Sequence, residues 1–229
     1  MATLEGLDVS RWQGTTPNLA GKAFLFARAT YGAIRDQMYS THIANARKAG
    51  LLVGAYHFGV GDVPVPSQVS AFLAAAGTVD FYVLDLESNG GRPSMTLGQA
   101  SLFIALVRAK NHKIGLYHSD SGFPLTLGQS YNWVAKWSVN PPTHPWTFWQ
   151  YRGSPLDLDR FNGDEAKLQA LAGNAGPVRL RVCSGRSSTS RERGSGDDLP
   201  EPDRARAGTA DSSQQRCNEP SGGAFTGLS

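Results

Sequence analysis

The sequence is short of cysteine, of long apolar runs and of one-signed charge blocks, and each shortage removes a class of protein. Two cysteines in 229 residues, Cys183 and Cys217, allow one bridge at most, so no disulfide framework holds this chain. No apolar run approaches the ~18 residues that span a bilayer. Met1-Ala2-Thr3-Leu4-Glu5-Gly6 has neither a basic nor an apolar signal region, so no secretory signal is expected. The net charge is +3 and the longest basic run is Arg47-Lys48, too little to argue for a nucleic-acid partner. HExxH, paired CxxC, Walker and GxSxG motifs are missing, and no serine has an evident base. Gly59-Val60-Gly61 runs into Asp62-Val63-Pro64 rather than a helix start, so it is no dinucleotide fingerprint. The histidines (His42, His57, His112, His118, His144) lack ligand spacing, and no metal is expected.

What is present is unevenly spread. Residues 1–173 hold nearly all the aromatics. Residues 174–229 hold eight Arg, no Lys and one aromatic, Phe225, and Gly, Ser and Pro make up 21 of these 56 residues. Such a segment buries too little apolar surface to offset its chain entropy. We therefore expect one folded domain over residues 1–173 and a disordered, low-complexity tail over 174–229, with Cys183 and Cys217 unpaired in it.

The first 173 residues repeat a strand-then-helix rhythm. Apolar runs at 4–9, 23–29, 51–58, 80–86 and 113–117 read as strands. Helical spacing at 36–49, 67–76 and 96–111 separates the later ones, with Ser67 a candidate cap and Leu102, Phe103, Leu106 and Val107 on the apolar face of the longest. Then the rhythm changes: 131–137, 146–151 and 156–159 read as strands joined by segments too short and too rich in Pro and Gly for helices, and 164–171 as a terminal helix over the barrel's outer face. About eight strands, mostly parallel and alternating with helices, define an α/β fold, as a closed TIM-like barrel or an open doubly wound sheet.

Polar residues gather at the strand ends: Asp8 and Ser10, Arg28 and Thr30, Tyr56 and His57, Asp85 and Glu87, Tyr117 and His118, Trp137, Gln150 and Tyr151, then Asp157 and Asp159. In a parallel barrel these ends meet on one rim, where active sites form. Asp85 and Glu87 are the sharpest pair. At i and i+2 on a strand their Cα atoms lie roughly 6.5 Å apart on one side. Repulsion, together with emergence from the apolar Tyr82-Val83-Leu84, raises one pKa, which gives one proton donor and one carboxylate that stays charged. Glycoside hydrolysis needs that division of labour. Aromatics beside carboxylates suit sugars, and Tyr56, Tyr117, Trp133, Trp137, Trp149 and Tyr151 are the candidates. Alternation puts Tyr131, Trp133, Ala135 and Trp137 on one face, and spacing alone does not say which tryptophan is core.

Read in order, the motifs become familiar. They are Gly6-Leu7-Asp8-Val9-Ser10-Arg11-Trp12-Gln13-Gly14, Ala27-Arg28-Ala29-Thr30-Tyr31-Gly32, Gly54-Ala55-Tyr56-His57-Phe58 and Leu84-Asp85-Leu86-Glu87. Then follow Gly115-Leu116-Tyr117, Trp133-Val134-Ala135, Trp149-Gln150-Tyr151 and Asp157-Leu158-Asp159-Arg160-Phe161. Over roughly residues 4–165 the chain resembles the glycoside hydrolase family 25 lysozymes, the Chalaropsis-type muramidases. The resemblance implies a (β/α)5(β)3 barrel that cleaves the β-1,4 bond between N-acetylmuramic acid and N-acetylglucosamine in peptidoglycan, with no cofactor. It implies Glu87 as the general acid, with Asp8, Asp85 and Asp157 as the other rim acids, Asp157 being preferred to Asp159. It places Tyr56, Tyr117 and Gln150 along the groove; Trp137, Arg28 and His57 join them as candidate substrate contacts. Arg28 stands where many members have Lys, and the segment 59–66 is short and Pro-rich, so one rim loop is trimmed. After residue 173 nothing resembles a wall-binding module. The expected setting is a monomeric, phage-type lysin that acts from the host cytoplasm on the cell wall, with no nucleic-acid or membrane partner. The other readings are a non-catalytic glycan-binding barrel and a hydrolase of another N-acetylglucosamine polymer.

Overall fold

The computed structural model describes residues 2–173 apart from 16, 89–90 and 125. The tail read as disordered, with Cys183 and Cys217, lies outside the described residues.

Among the described residues nine strands and four α-helices follow in order: β1 (Leu4–Val9), β2 (Phe24–Tyr31), β3 (Ile34–Arg35), α1 (Tyr39–Lys48), β4 (Leu52–Phe58), α2 (Val65–Ala76), β5 (Phe81–Asp85), α3 (Leu97–Arg108), β6 (Ile114–Ser119), β7 (Tyr131–Ala135), β8 (Phe148–Arg152), β9 (Asp157–Phe161) and α4 (Glu165–Leu171). The sheet runs β1-β9-β8-β7-β6-β5-β4-β2, and β1 also pairs with β2, so eight strands close into a barrel. The strand β3 is a short hairpin arm on the end of β2. The fold is thus the expected α/β barrel rather than an open sheet.

Alternation along each strand makes two cores. Leu7, Leu25, Ala27, Val53, Ala55, Leu84, Leu116 and Val134 point outward to Val69, Phe72, Phe103, Ile104 and Val107 of α2 and α3. The residues between them point inward, where Phe24, Phe26, Phe81, Tyr131, Trp133, Phe148 and Phe161 fill the barrel. Phe26 stacks on Trp133 with centroids 4.5 Å apart, and Phe148 meets both Phe24 and Phe26 edge-on at 5.0 Å. So many rings fit because glycines face them: a Cβ on Gly6, Gly54 or Gly115 would overlap the ring of Phe24, Phe26 or Tyr131. Large against small at facing positions is how a narrow barrel reaches interior packing density.

Four expectations need correction. The last strand is antiparallel to both neighbours, with Asp8 opposite Asp157 and Gly6 opposite Asp159. It therefore brings its first residues, not its last, to the rim, and Asp159 sits one inward step deeper. Helix α2 begins two residues before Ser67, at Val65, with Pro64 as its N-cap and Pro66 in its first turn, where a proline's missing N–H costs no intrahelical bond. Leu102 is exposed; Ala100, Phe103, Ile104 and Val107 form the buried stripe of α3, whose start Thr96 and Gln99 close with a capping box. Finally α4, capped by Asp164, buries Leu168 with the barrel-interior cluster, at the end where the strands begin, rather than on the outer face.

Candidate active site

The inward positions change character toward the mouth. Two residues beyond the glycine or ring at the floor stand Asp8 on β1, Tyr56 on β4, Tyr117 on β6 and Gln150 on β8; β5 contributes Asp85 and, just past its end, Glu87. With Asp157, Trp133 and Trp137 these residues line a pocket of about 240 Å³. The floor of the pocket is Trp133, 2% exposed; Trp137, 69% exposed, is a free wall. Depth, not alternation, divides the two tryptophans: Trp133 lies within β7 and is the core member, while Trp137, on the same face but two residues past the strand's end, is the rim member.

Gln150 organises the pocket. Its amide donates to Asp8 Oδ2 at 2.8 Å, and its carbonyl accepts from Tyr117 Oη and Trp137 Nε1, each at 3.0 Å. Gln13, in the turn after β1, donates to Asp157 Oδ2 at 3.4 Å. Beneath them Trp133 Nε1 donates to Asp159 Oδ1 at 2.8 Å. Among the described residues, Asp85 Oδ1 and Asp159 Oδ2 are buried without a hydrogen-bond partner.

Five carboxyl groups in so small a volume do not all ionise. Burial, then Asp159 and Asp157, push Asp8 well above the usual carboxylate range, and the bond from Gln150 pulls it back in part. Burial and then Glu87 raise Asp85, while the Arg28 guanidinium opposes the rise. Glu87 is raised by partial burial and by Asp157. Burial lifts Asp157 to about 6 and Asp159 to about 8. Glu87 is solvent-facing whereas Asp85 is 5% exposed. One carboxyl at the surface stands above a second in a dry place, and because the charge of each raises the other the pair favours holding a proton between them, so that one can donate while the other carries charge.

Not every expected rim residue arrives there. His57 points outward: it is fully buried, stacked on Phe103 at 4.5 Å and bonded to Thr30 Oγ1 and Gln68 Oε1. Burial lowers its pKa to about 3, so it is a neutral pin between barrel and helices rather than a substrate contact. The cause is parity, because Tyr56 faces in and its neighbour must face out. For the same reason Trp149 and Tyr151 lie outside, against Arg160. Arg28 does face the rim, but its guanidinium is bound to Asp36 at 2.9 Å, and it borders a neighbouring hollow instead of the acid pocket. Asp159, which shares the parity of Asp157 on β9, lies beneath the pocket rather than in its lining and adds a fifth carboxyl to its field.

An eight-stranded barrel with paired carboxylates, a glutamine hub and tyrosines at its mouth is the architecture of a glycoside hydrolase. The family model of the glycosyl hydrolases family 25 matches residues 7–157, and the chain belongs to that family. It is 30% identical over 212 residues to Lysozyme M1 of Streptomyces globisporus, covering 75% of this chain and 72% of that protein. The crystal structure of the bacterial lysozyme from Streptomyces coelicolor superposes with a TM-score of 0.65 at 31% identity, over 76% of this chain and 98% of that one. A family GH25 lysozyme from Aspergillus fumigatus superposes with a TM-score of 0.63 at 26% identity, over 75% and 99%. The chain is thus a muramidase-type peptidoglycan hydrolase, and its barrel is the family's fold.

Proposed function

We propose that this chain cuts the β-1,4 bond from N-acetylmuramic acid to N-acetylglucosamine, with Glu87 as general acid. The observation that carries the assignment is the contrast in access within the Asp85–Glu87 pair: Glu87 is exposed at the mouth, where it can reach the glycosidic oxygen, with its pKa raised by burial and then by Asp157, whereas Asp85, raised well above the usual range by burial and then by Glu87, is buried beneath it. Glu87 gives its proton to the glycosidic oxygen, and the N-acetylglucosamine side leaves as an alcohol. Asp85 stabilises the positive charge that develops at the anomeric carbon, as nucleophile or by orienting the 2-acetamido group. Water then adds at that carbon and returns a proton to Glu87, with net retention. Asp8 and Asp157 set the field of the pocket. Tyr56, Tyr117 and Trp137 offer ring faces and hydroxyls to the sugar. No cofactor enters the scheme, and one chain supplies every group, so the enzyme works as a monomer. The setting we propose is lysis of a host bacterium, since cutting the glycan strand removes the wall's tensile support.

Purified cell walls are the test substrate. New reducing ends that are N-acetylmuramic acid, released first as the β-anomer, are expected. N-acetylglucosamine at the new ends, or none, would overturn the assignment. For the setting, expression inside a bacterium should lyse the cells only when a membrane pore former is co-expressed.

A further inference from the structure

Beside the acid pocket the same rim carries a hollow of about 480 Å³ that the hydrolytic scheme leaves unused. Arg11, Trp12, Arg28, Tyr31, Arg35 and Phe58 line it. Trp12 is 72% exposed and Ile34, on the β3 arm, 63%. The Arg11 guanidinium lies over the Trp12 ring, 4.5 Å from its centroid. Buried Asp36 is fully engaged: it accepts from Arg28 Nε at 2.9 Å, from the Arg11 backbone N–H at 3.1 Å and from that of Met38 at 2.9 Å. Its charge therefore cancels that of Arg28. Arg35 donates to Ser40 Oγ at 2.6 Å, a neutral partner that holds the guanidinium without cancelling it. Two net positive charges thus stand around an open aromatic and aliphatic floor.

The hollow adjoins the pocket. Arg11 and Trp12 follow Asp8 in the chain, Phe58 lies two residues past Tyr56, and Gln13 of the same turn reaches Asp157. One part of the rim is acidic and suits a sugar at its anomeric centre; the next is basic and suits an anion with apolar parts. The wall polymer carries such an anion: a short peptide of alanyl methyl groups and carboxylates, hung on the muramic acid. We propose that this hollow binds the acidic peptide stem of the substrate, with Arg11 and Arg35 pairing with its carboxylates and the exposed Trp12 and Ile34 packing on its methyl groups. The proposal rests on the reading that the acid pocket cleaves wall glycan.

The test uses the full chain and its Arg11→Gln/Arg35→Gln double variant. Both side chains are exposed, so the fold should hold. The substrates are peptide-bearing glycan and the same glycan after an amidase has removed the stems. On the first, KM should rise about tenfold with kcat held, the size of two exposed charge contacts. On the second, which keeps only lactyl carboxylates, the rise should stay within about twofold, below the roughly threefold share of one such contact. An equal loss on both substrates would mean that the hollow reads sugar or lactate, and no loss on either that it is idle; each overturns the proposal. Calorimetric titration with the free acidic tetrapeptide is independent of turnover. Weak, salt-sensitive binding that the double variant loses is expected. No binding at low salt, or tighter binding of a glycerol phosphate polymer, overturns it. Peptide binding without hydrolysis of any wall would uphold this inference and overturn the assignment of the pocket.

Discussion

The floor and the mouth of the barrel are built from the same inward-facing positions, one step apart, with opposite chemistry. On β5 Phe81 and Val83 lead to Asp85 and then Glu87; on β8 Phe148 leads to Gln150; on β9 Phe161 lies below Asp159 and Asp157. The floor is dry and held by ring contacts. The mouth concentrates carboxyl groups that repel one another and lose hydration. The floor therefore supplies rigidity, and the mouth uses it to keep groups together that would otherwise separate. Catalytic sites draw in this way on stability generated elsewhere.

The widest separation of the two regions should come from Glu87→Gln. The amide keeps the shape but has no proton to give, so wall hydrolysis should fall ~10²–10⁴-fold with the melting temperature unchanged. Turbidity clearing and calorimetry on the same preparation read both quantities; more than about a tenth of the activity, against even the smaller of those losses, would mean that another group is the acid. The converse break is Phe26→Ala at the floor. Removing a ring that packs on Trp133, Phe24, Phe81 and Phe148 should cost about 3–5 kcal/mol in denaturant unfolding. Activity should be lost only through unfolding.

Asp159→Asn tests the boundary between them. The Asp159 carboxyl is raised to about 8, so the folded form holds a proton that the unfolded chain loses near pH 4. A raised acid contributes stability at low pH and loses it as pH rises from about 4 to about 8. The asparagine keeps an acceptor for Trp133 Nε1 and carries no such penalty. The variant should match the parent near pH 3 and unfold at a higher temperature near pH 8; equal melting curves at both would show that Asp159 is not neutral. The pH profile of hydrolysis is a subtler reading of the mouth. Glu87 must hold its proton while a neighbouring carboxyl is ionised, so the profile should be bell-shaped with its optimum on the acid side of neutrality. A rate still climbing above pH 8 would point to a different base. The smallest effect belongs to the tail. Every pocket residue lies at or before Asp159, and α4 ends at Leu171. A chain ending at Gly173 should melt at the same temperature and cleave soluble glycan at the full rate; a loss of several degrees would show that residues 174–229 support the barrel.

The sequence by itself determined the strands, the order of strand and helix and the identity of the mouth acids. Period-two alternation and residue type are local properties, and the ordered motifs from Gly6 to Phe161 are local as well. It brought Asp8, Asp85 and Glu87 to the mouth because each stands at or near the end of an apolar run, and Asp157 through the family motif, since that residue opens β9 rather than closing it. It misplaced His57, Trp149 and Tyr151 for want of the strand's absolute parity, since which of two neighbours faces the axis depends on the barrel's closure. Only the tertiary structure decided that β9 runs antiparallel, and hence that Asp157 sits at the rim with Asp159 beneath it. Only it set Arg28 against Asp36 and left Arg11 and Trp12 open beside the pocket. These outcomes depend on pairings across 25 to 150 residues of chain, such as Arg11 with Asp36 or Asp8 with Asp157. Such pairings are fixed by closing the sheet on itself and by the burial of rings inside it.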